Sequence, residues 1–163
     1  HTRYGTVTGV QTCALPIWLA HLGPEPLGAD FDGDLLYRAT RGRRAPIKQV
    51  LMDAAVVVGV GNIYANEALF IAGIRPRAAA GRLTRERCVR LAAAVRTVLE
   101  SAIAAGGTSF RDFVGSDGKP GYFVQSLYVY GREGERCRNC AGPLKALRLG
   151  GRATVYCPRC QRA

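Results

Sequence analysis

The 163-residue sequence predicts a mainly α fold closed by a small β element near its C-terminus. Three observations carry that expectation. Apolar residues recur at helical spacing through residues 19–107, a Gly/Pro-bearing break follows over 108–125, and two Cys-x-x-Cys pairs frame the final stretch, 126–163. The length suits one medium domain or two small ones. Residues 1–18 share none of this patterning and read as a non-native or truncated leader, the native reading beginning near Leu19.

Taken in order, Gly28 to Thr40 places Phe31, Leu35, Leu36 and Tyr37 on a helical period. Pro46 opens a second helix with Ile47, Val50 and Leu51, since its fixed φ suits a first turn. The apolar run Val56-Val57-Val58 and a glycine turn precede a third helix from Asn62 to about Ile71. The clearest helix starts after Thr84, an N-cap, and carries Cys88, Leu91, Val95, Val98, Leu99 and Ala102 on one face. It stops at Gly106-Gly107. Beyond the loop Ser116–Gly121, the residues Tyr122, Phe123 and Leu127 to Tyr130 read as a strand leading into a hairpin.

Cys137, Cys140, Cys157 and Cys160 form two pairs separated by sixteen residues, the spacing of a four-thiolate zinc site. Such a site is structural, because four protein ligands leave no position for a reacting water. Two disulfides or ordinary buried cysteines are the competing reading, but paired Cys-x-x-Cys at this spacing is rarely accidental. Cys13 and Cys88 stand alone, and the cysteines read as thiols in a reducing compartment. Around the cysteines lie Arg132, Arg136, Arg138, Lys145, Arg148, Arg152, Arg159 and Arg162, against only Glu133 and Glu135. Over the whole chain, 23 Lys and Arg against 12 Asp and Glu leave a net charge of +11. That surplus favours a polyanionic partner. A membrane partner is disfavoured, for the sequence has no apolar run long enough to span and no basic amphipathic helix of the surface-lying kind.

Gly59-Val60-Gly61-Asn62-Ile63-Tyr64-Ala65-Asn66-Glu67 is a second signal. Glycines allow a tight turn, and the helix that follows offers its first backbone N–H groups to a phosphate. Asn62 could cap that helix or donate to the same phosphate. A dinucleotide-binding reading fails, since the third glycine and a βαβ frame are missing.

The order of Gly-Val-Gly-Asn-Ile-Tyr-Ala, then Ser-Asp-Gly-Lys-Pro-Gly-Tyr-Phe, then the four-cysteine hairpin containing Gly151-Arg-Ala-Thr154 resembles the formamidopyrimidine-DNA glycosylase family. Leu19 to Pro26 and Lys48 to Asp53 extend the resemblance over roughly residues 19–163. The sibling endonuclease VIII family is not expected to carry the Asp-Gly-Lys-Pro-Gly-Tyr-Phe loop. The resemblance implies a helix–two-turn–helix domain over 19–107, a lesion-capping loop over 108–125 and a zinc finger over 126–163, gripping double-stranded DNA that contains oxidised purines or abasic sites. It implies that Asn62, from the helix start behind Gly61, and Arg152, from the hairpin tip, hold the phosphates flanking the lesion. Lys48 would lie close to the lesion-side backbone. Arg111, Lys119 and Tyr122 fall in the loop that closes over the extruded base, with Arg111 where some members have lysine.

The family's nucleophile is an N-terminal proline of a β-rich domain, assisted by a neighbouring glutamate. This sequence has no such start, so no catalytic residue is assigned within it, and the chain alone is expected to bind without cutting. The same resemblance implies base-excision repair with abasic-site lyase cleavage in the parent protein, a monomer, and a bacterial cytoplasmic location at the nucleoid. The alternatives are a non-catalytic, zinc-dependent nucleic-acid-binding module, or an endonuclease VIII-like relative.

Overall fold

The computed structural model describes residues 20–106 and 126–162. Residues 1–18, expected to be a leader, and the loop expected to cap a lesion, with Arg111, Lys119 and Tyr122, lie outside the described residues. Among the described residues, four α-helices come first: α1 (Gly33–Thr40), α2 (Ile47–Leu51), α3 (Asn62–Ile71) and α4 (Arg85–Ala104), with a 3-10 turn at Ala80–Arg82 before the last. A two-stranded antiparallel hairpin follows, β1 (Lys145–Leu149) and β2 (Arg152–Tyr156), in register from Lys145 opposite Tyr156 to Leu149 opposite Arg152.

Local chemistry sets most of these boundaries. The first helix begins at Gly33 rather than Gly28. Asp32 is its N-cap and accepts from the Leu35 N–H at 2.7 Å. The residues before it are held otherwise, because the Arg96 guanidinium donates to the carbonyls of Gly28 and Phe31. Gly33 must be glycine for a packing reason: a Cβ there would lie 2.5 Å from the Val89 backbone, so its absence lets α1 cross close against α4. Pro46 occupies the N-cap of α2. Thr84 caps α4 by accepting from the Arg87 N–H, and Gly106, with φ of 75°, follows its last turn.

Helix α3 joins the two halves. One face buries Ala65, Ala68 and Leu69 among Phe31, Leu36, Ile47, Leu91 and Val95 of the helical core. The opposite face places Phe70 in a second core with Val129, Leu144, Val155, Cys137 and Cys157. Phe70 stacks on Tyr128 with centroids 5.3 Å apart, an arrangement that contributes about 0.5–1.5 kcal/mol beyond burial.

The strand expected through Leu127–Tyr130 does not form. The Glu67 carboxylate, buried on α3, accepts from the backbone N–H groups of Tyr128, Val129 and Tyr130 at 2.7, 2.9 and 2.8 Å. A strand would have spent those donors on a ladder. Here one side chain takes three of them, and the segment turns instead of extending. Among the described residues, no helix is long and apolar enough to cross a membrane.

Candidate zinc centre and nucleic-acid interface

The cysteines meet at the base of the hairpin. Cys137 starts a turn in which its own N–H donates to Gly142 O and Ala141 N–H returns to Cys137 O. Cys157 starts the second turn; its N–H donates to the buried Gln161 Oε1 at 2.8 Å, while Gln161 Nε2 donates to Ile74 O. These turns bring all four Sγ atoms within 4.8 Å of one another. Across the pairs, Cys137 lies 3.8 Å from Cys160 and Cys140 lies 3.4 Å from Cys157. Four sulfurs each about 2.3 Å from a tetrahedral ion stand about 3.8 Å apart, so the set fits zinc, whereas a disulfide needs about 2.05 Å. The Gly142 N–H and neighbouring thiols hold Cys140 down at about 7, while burial pushes Cys157 and Cys160 up. Zinc binding displaces protons from all four.

From that base the hairpin projects to a two-residue turn, Gly150-Gly151, with φ of 55° and 74°, the conformation of a tight hairpin connection. Arg152 is the first residue after the turn. Behind it, two elements of the helical half converge on one carbonyl. Lys48 Nζ, from the first turn of α2, donates to Ala153 O at 2.9 Å and to Thr154 Oγ1 at 2.6 Å. Asn62 Nδ2, from the start of α3, donates to the same Ala153 O at 3.2 Å. Asn66, one turn further along α3, accepts from the Val155 N–H at 3.0 Å. The hairpin is thereby pinned side-on against α3, with Lys48, Asn62 and Arg152 drawn together. A cleft of about 280 Å³ lies beside them, lined by Lys48, Gln49, Met52, Leu149, Gly150 and Arg152.

Lys48 is 1 % exposed. Burial and the nearby Arg152 charge lower its pKa from the ordinary lysine value to about 8. Two of its three possible donors are spent on the hairpin, so it positions Arg152 as well as adding charge.

Asn62 is not the helix cap. Gly61 holds that position, and the first intrahelical bond runs from Ala65 N–H to Gly61 O, which leaves the earlier N–H groups of Asn62 and Ile63 outside the helical ladder. Gly59, at φ of 77°, makes the turn. Gly61 itself faces open space, since a Cβ there would meet nothing within 4 Å.

Sequence reasoning gave no role to Glu67, Asn66, Thr154 and Gln161, all fully or nearly fully buried, although the first three lie in the motifs it singled out. A signal existed for the first two: Asn66-Glu67 interrupts the apolar run Ala65, Ala68, Leu69, Phe70. A polar pair inside such a run is kept only where partners satisfy it.

These features define a class by architecture: a helical domain carrying a hairpin whose four cysteines are grouped for one structural zinc ion. The helical part matches the formamidopyrimidine-DNA glycosylase H2TH domain over residues 22–114, and the C-terminal part matches the zinc finger found in FPG and IleRS over 134–163. The formamidopyrimidine-DNA glycosylase of Stutzerimonas stutzeri is 58% identical over 160 residues, covering 98% of this chain and 59% of that protein. That of Halorhodospira halophila is 62% identical over 144 residues, covering 88% and 53%. The chain thus spans little more than half the length of the curated relatives it matches. Among solved structures, MutM (Fpg) from Thermus thermophilus superimposes with a TM-score of 0.83 at 41% identity, over 91% of this chain and 56% of that one. Lactococcus lactis Fpg bound to DNA containing an abasic site gives 0.83 at 35% identity, over 91% and 55%. The chain belongs to the formamidopyrimidine-DNA glycosylase family, with one structural zinc ion held by Cys137, Cys140, Cys157 and Cys160.

Proposed function

We propose that this chain is the duplex-gripping part of a bifunctional DNA glycosylase and abasic-site lyase that removes oxidised purines such as 8-oxoguanine and formamidopyrimidines. The observation that carries the reading is the convergence of Lys48, Asn62 and Arg152 around Ala153 O at an open helix start. Arg152 supplies a charge-assisted hydrogen bond to one phosphate, and the α3 N–H groups with the second Asn62 donor serve its neighbour. Gly61 leaves room for that backbone to approach.

Gripping the phosphates on both sides of a lesion bends the duplex and offsets the cost of unstacking the damaged nucleotide, on the order of a few kcal/mol. The helical unit is assigned to 19–107, the zinc unit to 126–163, and the loop 108–125 with Arg111, Lys119 and Tyr122 to closure over the extruded base. The protein acts as a monomer in the bacterial cytoplasm.

The chain alone binds and does not cut. Pro24 and Pro26 are internal, so their nitrogens are amides, and the Lys48 amine is buried against the hairpin. The test is borohydride trapping on an abasic duplex with a gel shift on the same DNA. A shifted band without a covalent adduct is expected. An adduct would identify an amine of this chain as a nucleophile and overturn the binding-only assignment. Equal affinity for intact and abasic duplexes would instead favour a nucleic-acid-binding module without lesion preference.

A further inference from the structure

A second basic site lies apart from the Lys48–Arg152 cleft. Arg75, Arg77, Arg82 and Arg87 line a cleft of about 470 Å³ between the 3-10 turn and the start of α4. The ion pairs among the described residues are Arg43–Asp53, Arg85–Asp34 and Arg132–Glu135, so none of these four guanidiniums has a carboxylate. Arg75 and Arg87 are held in place by carbonyls, since Arg75 Nη2 donates to Pro158 O at 3.5 Å and Arg87 Nη2 to Arg162 O at 3.0 Å. Arg75 Nε is buried and finds no acceptor among the described residues. The cleft therefore holds a surplus of donors and of positive charge. Four like charges in one hollow repel unless an anion joins them.

Its position relates to the first grip. The rim Pro76–Ala78 is tied to the first turn of α2, where Lys48 N–H donates to Pro76 O and Ile47 N–H to Ala78 O. Strand β2 begins at Arg152 and leads within six residues to Pro158, the carbonyl that Arg75 touches. At roughly 3.3 Å per residue, those six residues reach at most about 20 Å. A duplex of about six base pairs, at an axial rise of about 3.4 Å each, spans that length.

We propose that the Arg75–Arg87 cleft binds phosphodiesters of a duplex arm several base pairs from the lesion. The inference rests on the duplex-gripping reading above. In it, the lesion-flanking phosphates sit at Arg152 and Asn62, and the arm continues past the 3-10 turn to Arg77 and Arg82.

The test uses the full zinc-loaded chain and its Arg77→Gln/Arg82→Gln variant. Both side chains are exposed, and no described residue bonds to them, so the substitution leaves packing intact. An Arg85→Gln/Arg90→Gln variant removes equal charge from α4, at positions that do not line the cleft. Affinity is measured against salt on two abasic duplexes, one with arms of about three base pairs closed by glycol linkers, the other with arms of about twelve. On the long duplex, wild type should show a salt slope steeper by about 2, since each neutralised phosphate contributes about 0.9. The Arg77/Arg82 variant should lose that difference and bind the short duplex like wild type, and the Arg85/Arg90 variant should keep it. Equal slopes for wild type on both lengths would overturn the arm contact while leaving the Arg152 grip standing. An equal loss in the Arg85/Arg90 variant would overturn it too, as bulk charge. Failure of wild type to bind either duplex would remove the gripping reading and this inference together.

Discussion

Ala153 offers one carbonyl oxygen to two donors, Lys48 Nζ and Asn62 Nδ2, and the next residue back along the chain is Arg152. Residues from three separate elements are therefore fixed with respect to each other before any DNA arrives, which lowers the ordering cost of binding. If Arg152 and Asn62 each hold a phosphate, then Arg152→Ala and Asn62→Ala should each weaken abasic-duplex binding by about 1–3 kcal/mol in a gel shift. Full-strength binding by both variants would count against the clamp. The lowered pKa of Lys48 adds a pH dependence whose sign can be worked out. Between about 8 and the ordinary lysine value near 10.5, the unfolded chain keeps a proton that the folded chain has shed, so the Lys48 contribution to stability rises with pH across that window. A phosphate beside Lys48 favours its charged form. Duplex affinity should be flat below pH 8 and fall as pH rises through it, and a Lys48→Met variant should show no such fall.

At the scale of elements, α3 decides the arrangement. Its apolar face belongs to the helical core and its Asn66, Glu67 and Phe70 face belongs to the zinc unit. Glu67 is the strongest tie, one carboxylate accepting three backbone N–H groups. Glu67→Gln replaces one acceptor oxygen with a donor facing a donor. A loss of about 1–3 kcal/mol is expected in thermal unfolding of the zinc-loaded chain, with easier zinc loss to a chelator. Unchanged melting would mean that the segment Tyr128–Tyr130 is held by its apolar contacts instead. The helices themselves were legible from periodicity and caps, with Thr84 and the start at Asn62 read directly. The irregular course of Leu127–Tyr130 was not, because its apolar residues look the same whether the backbone pairs with a strand or with a distant carboxylate. The early start assigned to α1 had a similar cause: Phe31 fits the helical period, yet it reaches the core from a turn held by Arg96.

For the whole molecule, the zinc ion stands in for a core that the C-terminal half is too small to build. Its buried apolar cluster consists of Phe70, Val129, Leu144, Val155 and the cysteines themselves. Chelation should abolish duplex binding by releasing Arg152, while circular dichroism keeps most of the helical signal, since α2 and α4 pack against α3 and α1 packs against α4. Loss of all helicity on chelation would show that the two halves fold as one unit.

The sequence by itself determined the four-thiolate zinc site, the helical class of the first half and the family, because spacing along the chain is enough to specify turns, caps and ligand pairs. The tertiary structure alone decided that Lys48 is buried against the hairpin, that Glu67 holds the entry to the zinc unit, and that four arginines spread over residues 75–87 share one cleft. Each depends on which side chains meet across distances of up to about a hundred residues, and the local pattern that sets a helix or a turn carries no record of its distant partner.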